Sequence, residues 1–267
     1  MKKKPLICYL FTVFDKKNSL KNFIKNYKRY KSGYSHDLLI CYKLINEKHI
    51  IKLEKELHGI RHIKFVDTFQ KNDWDFGSYS RVAKNYLNSS IFFMNSHSYP
   101  IKNNWLKKFM LHFKGKTIIS SSGSYESITN QVKFKKPYNI ISYIKKKIKA
   151  KRAFTEFPNP HLNTANFLIK GADFYNYIKS KTFNNKYDTW KIESGFNSLT
   201  EHFKKKKYNL FVVNSEGKKF PENRWMHSET YHYKDQSKSL MSDKHSRKYL
   251  KYNKSKKLIS QKAVWGV

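Results

Sequence analysis

Apolar residues in the first 70 positions switch between two spacings. Leu6 to Phe14 is a nearly unbroken apolar run, the pattern of a strand covered on both faces. Leu20, Phe23, Ile24 and Tyr27 then recur at helical spacing, with Asn18 or Ser19 as a cap and an end near Tyr30. His36 to Leu44 is a second apolar run. Glu47 to Leu57 is helical through Ile50, Ile51, Leu53 and Leu57, and Ile63 to Phe69 is a third strand. The order β-α-β-α-β predicts a single α/β domain with a central, mostly parallel sheet flanked by helices.

The next unit carries the chemistry. A helix is expected over Asp75 to Leu87, with Asp75 as its N-cap and Gly77 letting the backbone approach a ligand. Ile91 to Met94 follows as a buried, central strand that opens into Asn95-Ser96-His97. Asn104 to Phe113 is helical again, its Trp105, Leu106, Phe109 and Phe113 forming a core face. In an α/β sheet, ligand groups sit at the carboxyl ends of strands, so Asp75, Asn95 and His97 are expected to line one pocket. Thr117 to Ser121 is a further strand running into a serine-rich turn.

Lys133 to Arg152 changes character. Ile140, Ile141, Ile144 and Ile148 share a helical face, while Lys145, Lys146, Lys147, Lys149, Lys151 and Arg152 occupy much of the rest. Such a helix suits an anionic membrane surface, or solvent with lysines set by composition. Order returns with a strand at Ala165 to Ile169, a helix at Ala172 to Ile178, a helix through Leu199, His202 and Phe203, and a strand at Asn209 to Val213. We therefore divide the chain into a domain over 1–225, with a basic amphipathic insertion at 133–157, and a basic tail over 226–267 packing on that domain.

Composition adds three points. Hydrophobic content of 39% and aromatic content of 16% suffice for a core. The 55 Lys and Arg against 19 Asp and Glu give a net charge of +36, which attracts phosphate-rich partners, although AT-rich coding produces the same Lys, Asn and Ile bias. Cys8 and Cys41 both lie in strand-like runs, which predicts a reducing, cytoplasmic setting without a disulfide scaffold. The basic start runs into an apolar stretch without a small-residue cleavage site, so it reads as a strand and not as a signal peptide. No apolar run approaches the roughly 20 residues of a membrane span.

The order of these pieces resembles the GT-A glycosyltransferases, particularly the bacterial family 2 type, over roughly residues 5 to 215. Three places carry the likeness. Asp75 and Gly77 precede a strand, Phe92 to Met94, ending in Asn95-Ser96-His97 where the family has Asp-x-Asp. Asn163-Thr164 leads into an apolar strand, and Glu193 is expected to open a helix that leads through Lys204 to Lys207 into Tyr208 to Val213. The resemblance implies a hexosyltransferase-like enzyme of surface polysaccharide synthesis. It would move sugar from a nucleotide-sugar donor to a glycan or lipid-linked acceptor, in the cytoplasm or on the inner face of the cell membrane. It implies donor contacts from Asp75, Gly77, Asn95, His97, Asn163 and Thr164. It also implies Glu193 as catalytic base, with Asp188 in reserve. The family's Asp-x-Asp holds Mg²⁺ or Mn²⁺, and Asn95 and His97 depart from that hard-ligand pair. Three readings follow: a metal-independent enzyme whose cations neutralise the diphosphate, a softer Mn²⁺-type ion on His97, or an inactive sugar-binding relative. A nucleic-acid-binding protein using the basic surface is the alternative of another class, although no nucleic-acid motif is present.

Overall fold

The computed structural model describes residues 4–132 and 140–267. In chain order its first half comprises β1 (Leu6–Thr12), α1 (Lys17–Arg29), β2 (Asp37–Lys43), α2 (Glu47–Glu56), β3 (Ile63–Asp67), α3 (Trp74–Asn85), β4 (Ser90–Met94), β5 (Tyr99–Pro100), α4 (Trp105–His112), β6 (Thr117–Ser120) and β7 (Gly123–Ser124). Its second half comprises α5 (Ile128–Gln131), α6 (Ile140–Lys151), β8 (His161–Leu162), β9 (Asn166–Lys170), α7 (Gly171–Ile178), α8 (Lys186–Ser194), α9 (Leu199–Lys205), β10 (Asn209–Val213) and β11 (Lys219–Phe220). A 3-10 turn at Glu222–Ser228, β12 (Met241–Ser242), α10 (Lys244–Leu250) and α11 (Lys254–Trp265) close the chain.

Eight strands form one sheet in the order β11-β10-β6-β9-β4-β1-β2-β3. β3, β2, β1 and β4 run parallel to one another, as do β6 and β10. β9 is antiparallel to both its neighbours, β4 and β6, and β11 is antiparallel to β10. The strand leading to Asn95 is therefore interior, between β1 and β9.

Strand periodicity builds two cores from one sequence. Leu6, Cys8 and Leu10 face a layer containing Val82 of α3, Phe174 of α7 and Trp265 of α11. Ile7, Tyr9 and Phe11 face the opposite layer, with Leu20 and Phe23 of α1, Leu53 of α2 and Trp105 of α4. Because side chains alternate, a strand buried on both faces must be apolar throughout, and β1 is. The two cysteines are free and buried on adjacent strands, and burial pushes both thiols well above their usual range.

The structure moves several expected boundaries. β1 stops at Thr12, and Val13 and Phe14 turn outward to 50% and 68% exposure. Neither Asn18 nor Ser19 caps α1; Lys16 holds the N-cap position, without a side-chain bond. β3 ends at Asp67 and exposes Ile63 and Val66, as its place at the sheet edge dictates. Asp75 is not an N-cap either: Asp73 precedes α3, and Asp75 is its second residue. Of the Lys133 to Arg152 segment, residues 133–139 lie outside the described residues, and α6 accounts for Ile140–Lys151.

The segment after residue 225 is folded into the body. Trp225, Tyr231, Val264 and Trp265 join the first core, while Leu240 and Met241 join the second. β12 pairs antiparallel with β5, just beyond the Asn95–His97 turn. Trp265 Nε1 donates to the Tyr231 carbonyl at 2.8 Å, closing the tail onto itself.

Candidate active site

The chain leaves β1 toward β2 and β3 on one side, then returns to β4 on β1's other side. The crevice beyond the carboxyl ends of β1 and β4 is therefore a topological switch point, where loops diverge and leave space for a ligand. A cavity of about 510 Å³ lies there. Asp15 follows β1. Asn95, Ser96 and His97 follow β4. Trp74 and Asp75 come from the start of α3, Thr164 from the loop before β9, and Glu193 from α8; all of them line it.

A buried ionic network sets the α3 wall. Lys43, at the end of β2, is 1% exposed and is hydrogen-bonded to Asp73. Arg81 bridges back, donating Nη1 to Asp73 Oδ2 at 2.6 Å and Nη2 to Asp67 Oδ2 at 2.5 Å. Ser78 adds a hydroxyl to Asp67. Burial of such charges is tolerable only because every one is paired. The Asp73 carboxylate packs directly against the Cα of Gly77, leaving no room for a Cβ. Gly77 thus admits the aspartate that fixes the loop, and it is outside the cavity lining. The network leaves Trp74 with a left-handed φ of 57°.

Asp75 is half-buried on the cavity wall. Burial first, then the Asp15 carboxylate, raises its pKa to about 6, with Lys43 opposing. Asp15 is pinned: its Oδ2 accepts from Thr12 N and Oγ1, at 2.8 and 2.7 Å, and its Oδ1 accepts from Ser96 Oγ at 2.6 Å. His97 Nε2 stands 3.7 Å from Asp15 Oδ1. Burial, aided by Lys244, Arg247 and His245, outweighs Asp15 and holds the His97 pKa below its usual value, so the ring is neutral at pH 7. Asn95 folds the turn, its Oδ1 accepting from His97 N at 3.2 Å and Ser98 Oγ at 2.7 Å.

Glu193 is the next-to-last residue of α8, not the first of a helix as expected. A carboxylate at a helix C-terminus gains nothing from the helix dipole. It is held instead by Thr164, whose backbone N and Oγ1 both donate to Glu193 Oε1, at 2.9 and 2.8 Å. No described residue donates to Oε2, which leaves that oxygen for a ligand. α8 turns Lys186, Thr189, Trp190 and Glu193 toward the cavity, at helical spacing. Asp188 falls on its other side and lines a different groove. There it pairs with Lys191 Nζ at 2.8 Å, which lowers its pKa. Asn163 is also outside the cavity lining; its Nδ2 donates to Ser122 Oγ at 2.9 Å, shaping the loop that presents Thr164.

Two buried donors on the cavity lining, Trp74 Nε1 and Tyr79 Oη, have no hydrogen-bond partner among the described residues. Native proteins rarely leave such groups unpaired, and a polar ligand would satisfy both. The opposite wall comes from the far end of the chain: Lys244, which brings a positive charge, and His245 of α10 line the cavity. Arg247 fixes that wall, its Nη1 donating to the His97 carbonyl at 3.0 Å while its guanidinium stacks over Tyr99. Among the described residues, no three His, Cys, Asp or Glu side chains form a metal-binding group.

Sequence reasoning missed Asp15, Trp74, Trp190, Lys244 and His245. Asp15 carried a readable signal, being an acidic residue just past the first buried strand. Lys244 and His245 carried none, because 150 residues separate His97 from the Arg247 that secures them.

Neither a protein-family model nor a curated protein matches the sequence. Among solved structures, the chain is similar to the apo-form glycosyltransferase GlyE of Streptococcus pneumoniae TIGR4, at 9% identity and a TM-score of 0.47, over 98% of this chain and 65% of that one. It is similar to a 4-diphosphocytidyl-2C-methyl-D-erythritol synthase, at 5% identity and a TM-score of 0.44, over 83% of this chain and 94% of that one. It is also similar to HddC from Yersinia pseudotuberculosis, at 9% identity and a TM-score of 0.43, over 75% of this chain and 97% of that one.

Proposed function

We propose that this chain is a GT-A-like glycosyltransferase that moves a sugar from a nucleotide-sugar donor to a glycan or lipid-linked acceptor, in surface polysaccharide synthesis. One observation carries the reading. A cavity at the switch point of the sheet joins a carboxylate oxygen at Glu193 with no donor among the described residues, unpaired donors at Trp74 and Tyr79, and a wall carrying Lys244 and His245. Sugars take aromatic faces and carboxylates; a leaving diphosphate takes cations.

In this reading the acceptor hydroxyl gives its proton to Glu193 Oε2 while its oxygen attacks the anomeric carbon from the face opposite the leaving group. The new C–O bond forms as the bond to the diphosphate oxygen breaks, and the electron pair stays on the diphosphate. Asp75 accepts hydrogen bonds from sugar hydroxyls, and Trp74 and Trp190 flank the ring or the base. Thr164 positions Glu193. Asn95 and His97 shape the donor floor, and Gly77 and Asn163 support it from behind. Asp188 has no part in the step. The donor set does not fit a protein-held Mg²⁺ or Mn²⁺: Asn95 Oδ1 is committed to its own turn, and Asp15 accepts three hydrogen bonds beside a single imidazole. Lys186 and Lys244 supply the positive charge that a cation would bring. The protein works on the inner face of the cell membrane, a placement supported by the exposed isoleucines of α6.

Glu193→Gln keeps the shape and cannot take the proton, so turnover should fall by about 10²–10⁴-fold with donor affinity nearly unchanged. Calorimetry with a panel of nucleotide sugars, followed by turnover with the acceptor, reads the two separately. Thermal stabilisation by short oligonucleotides and by no nucleotide sugar would overturn the assignment.

A further inference from the structure

On the far side of α8 from the cavity, two grooves of about 350 and 580 Å³ meet at Arg152, Ala153 and Lys191. Five cations line them: Lys145, Lys149 and Arg152 from α6 and its end, with Lys181 and Lys191 opposite. The one acid there, Asp188, is already paired with Lys191. Tyr187 forms part of the floor, with Lys149 and Lys191 over its ring at 4.5 and 5.7 Å. Tyr187 Oη also donates to the Lys149 carbonyl at 2.8 Å, which ties α6 to α8.

Helical geometry places an apolar stripe beside this groove. Ile140, Ile141, Ile144 and Ile148 share an arc of about 100° at 3.6 residues per turn. All four are exposed, at 51, 67, 46 and 46%. Arg152, Lys145 and Lys149 follow one edge of the arc and Lys147 the other, while Lys151 falls within it and is paired with Glu156 at 2.8 Å. Ala150, on the opposite side of the helix, is buried and anchors it. Water is a poor environment for four such side chains in a row, and a neutral protein partner would leave the flanking cations unmatched.

We propose that α6 and the groove behind it form a docking site for an anionic phospholipid membrane, with headgroup phosphates against Lys145, Lys149, Arg152 and Lys191 and the isoleucines among the acyl chains. This deepens the membrane placement given above and rests on none of the catalytic assignments. α8 then has one face at the bilayer and the other, with Glu193, at the cavity, which sets the cavity beside the membrane surface.

The test is sedimentation of the full chain with vesicles of phosphatidylcholine alone or with about a third phosphatidylglycerol. Binding to the anionic vesicles only is expected. Ile141→Ser with Ile144→Ser leaves the charge unchanged and should cut partitioning at least about tenfold. Lys145→Glu with Lys149→Glu should abolish it, whereas Lys52→Glu with Lys55→Glu on α2, an equal charge change elsewhere, should have a much smaller effect. Equal loss from the α2 pair, or no loss from the isoleucine pair, would show diffuse attraction to a basic protein and overturn the proposal. So would tight binding of inorganic pyrophosphate by a chain that ignores the vesicles. No donor or turnover enters the readout, so failure here leaves the catalytic reading standing.

Discussion

Asp75, on the cavity wall, costs the fold stability when it is ionised. Its folded pKa, near 6, lies above the ordinary carboxylate value because burial and Asp15 disfavour the charge. The folded state therefore holds a proton that the unfolded chain loses, between about pH 4 and 6. Stability contributed by this group is present below pH 4 and is lost as pH rises through 6. Asp75→Asn removes the cost, so at pH 7.5 the variant should be more stable by roughly 1–2 kcal/mol, discounted for partial exposure, and the gap should close near pH 4. Urea unfolding at the two pH values measures both. The ionised form is the better acceptor for sugar hydroxyls, so donor affinity of the unaltered protein should weaken as pH falls through 6.

At the scale of elements, α10 brings residues from the far end of the chain to the cavity. A capping box fixes its start: Asp243 Oδ1 accepts from the backbone N of His245 and Ser246, and Ser246 Oγ accepts from Asp243 N. Lys244 and His245, in its first turn, are held toward the turn that follows β4, with Arg247 locked to His97. Lys244→Ala with His245→Ala should lower affinity for a nucleoside diphosphate by about tenfold to a hundredfold, since the charge-assisted contact of Lys244 is worth about 1.5–3 kcal/mol. Affinity for the bare nucleoside should not move. Equal weakening of both ligands in calorimetry would mean that α10 shapes the cavity without meeting the phosphates.

At the scale of the whole molecule, the last 40 residues are a structural part of both layers. Tyr249 is fully buried, and Val264 and Trp265 are 1% and 6% exposed. A chain ending at Ser239 would lose these side chains and uncover Tyr231 and Trp225, a loss of several large apolar groups at roughly 1.5–3 kcal/mol each, against typical net stabilities of 5–15 kcal/mol. It should fail to unfold cooperatively by calorimetry and should bind a hydrophobic dye. A truncated chain with an ordinary sharp transition would place the tail outside the cooperative unit.

The sequence by itself determined the parallel part of the sheet. Leu6 to Phe11, Leu38 to Tyr42 and Ile91 to Met94 are apolar without interruption, and a strand covered on two faces admits nothing else, so the β-α alternation and the interior position of β4 were legible from one residue to the next. The polar turn at Asn95 to His97 was legible for the same reason: polarity just past a buried strand marks the end that opens on the crevice. Asp75 and Glu193 were singled out, yet their local settings were misread, because a carboxylate near a helix looks alike at either end until the helix boundary is fixed by contacts from elsewhere. Gly77 was read as room for a ligand when the room is taken by Asp73, an ionic partner of Lys43 that lies 30 residues away. Only tertiary structure decided that β9 runs against its neighbours, that Asp188 turns away from Glu193 on the same helix, and that cations from residues 244–247 stand opposite a turn at residue 97. Those outcomes depend on which distant surfaces meet, and the periodicity of a chain reports the face a side chain takes, not the partner waiting there.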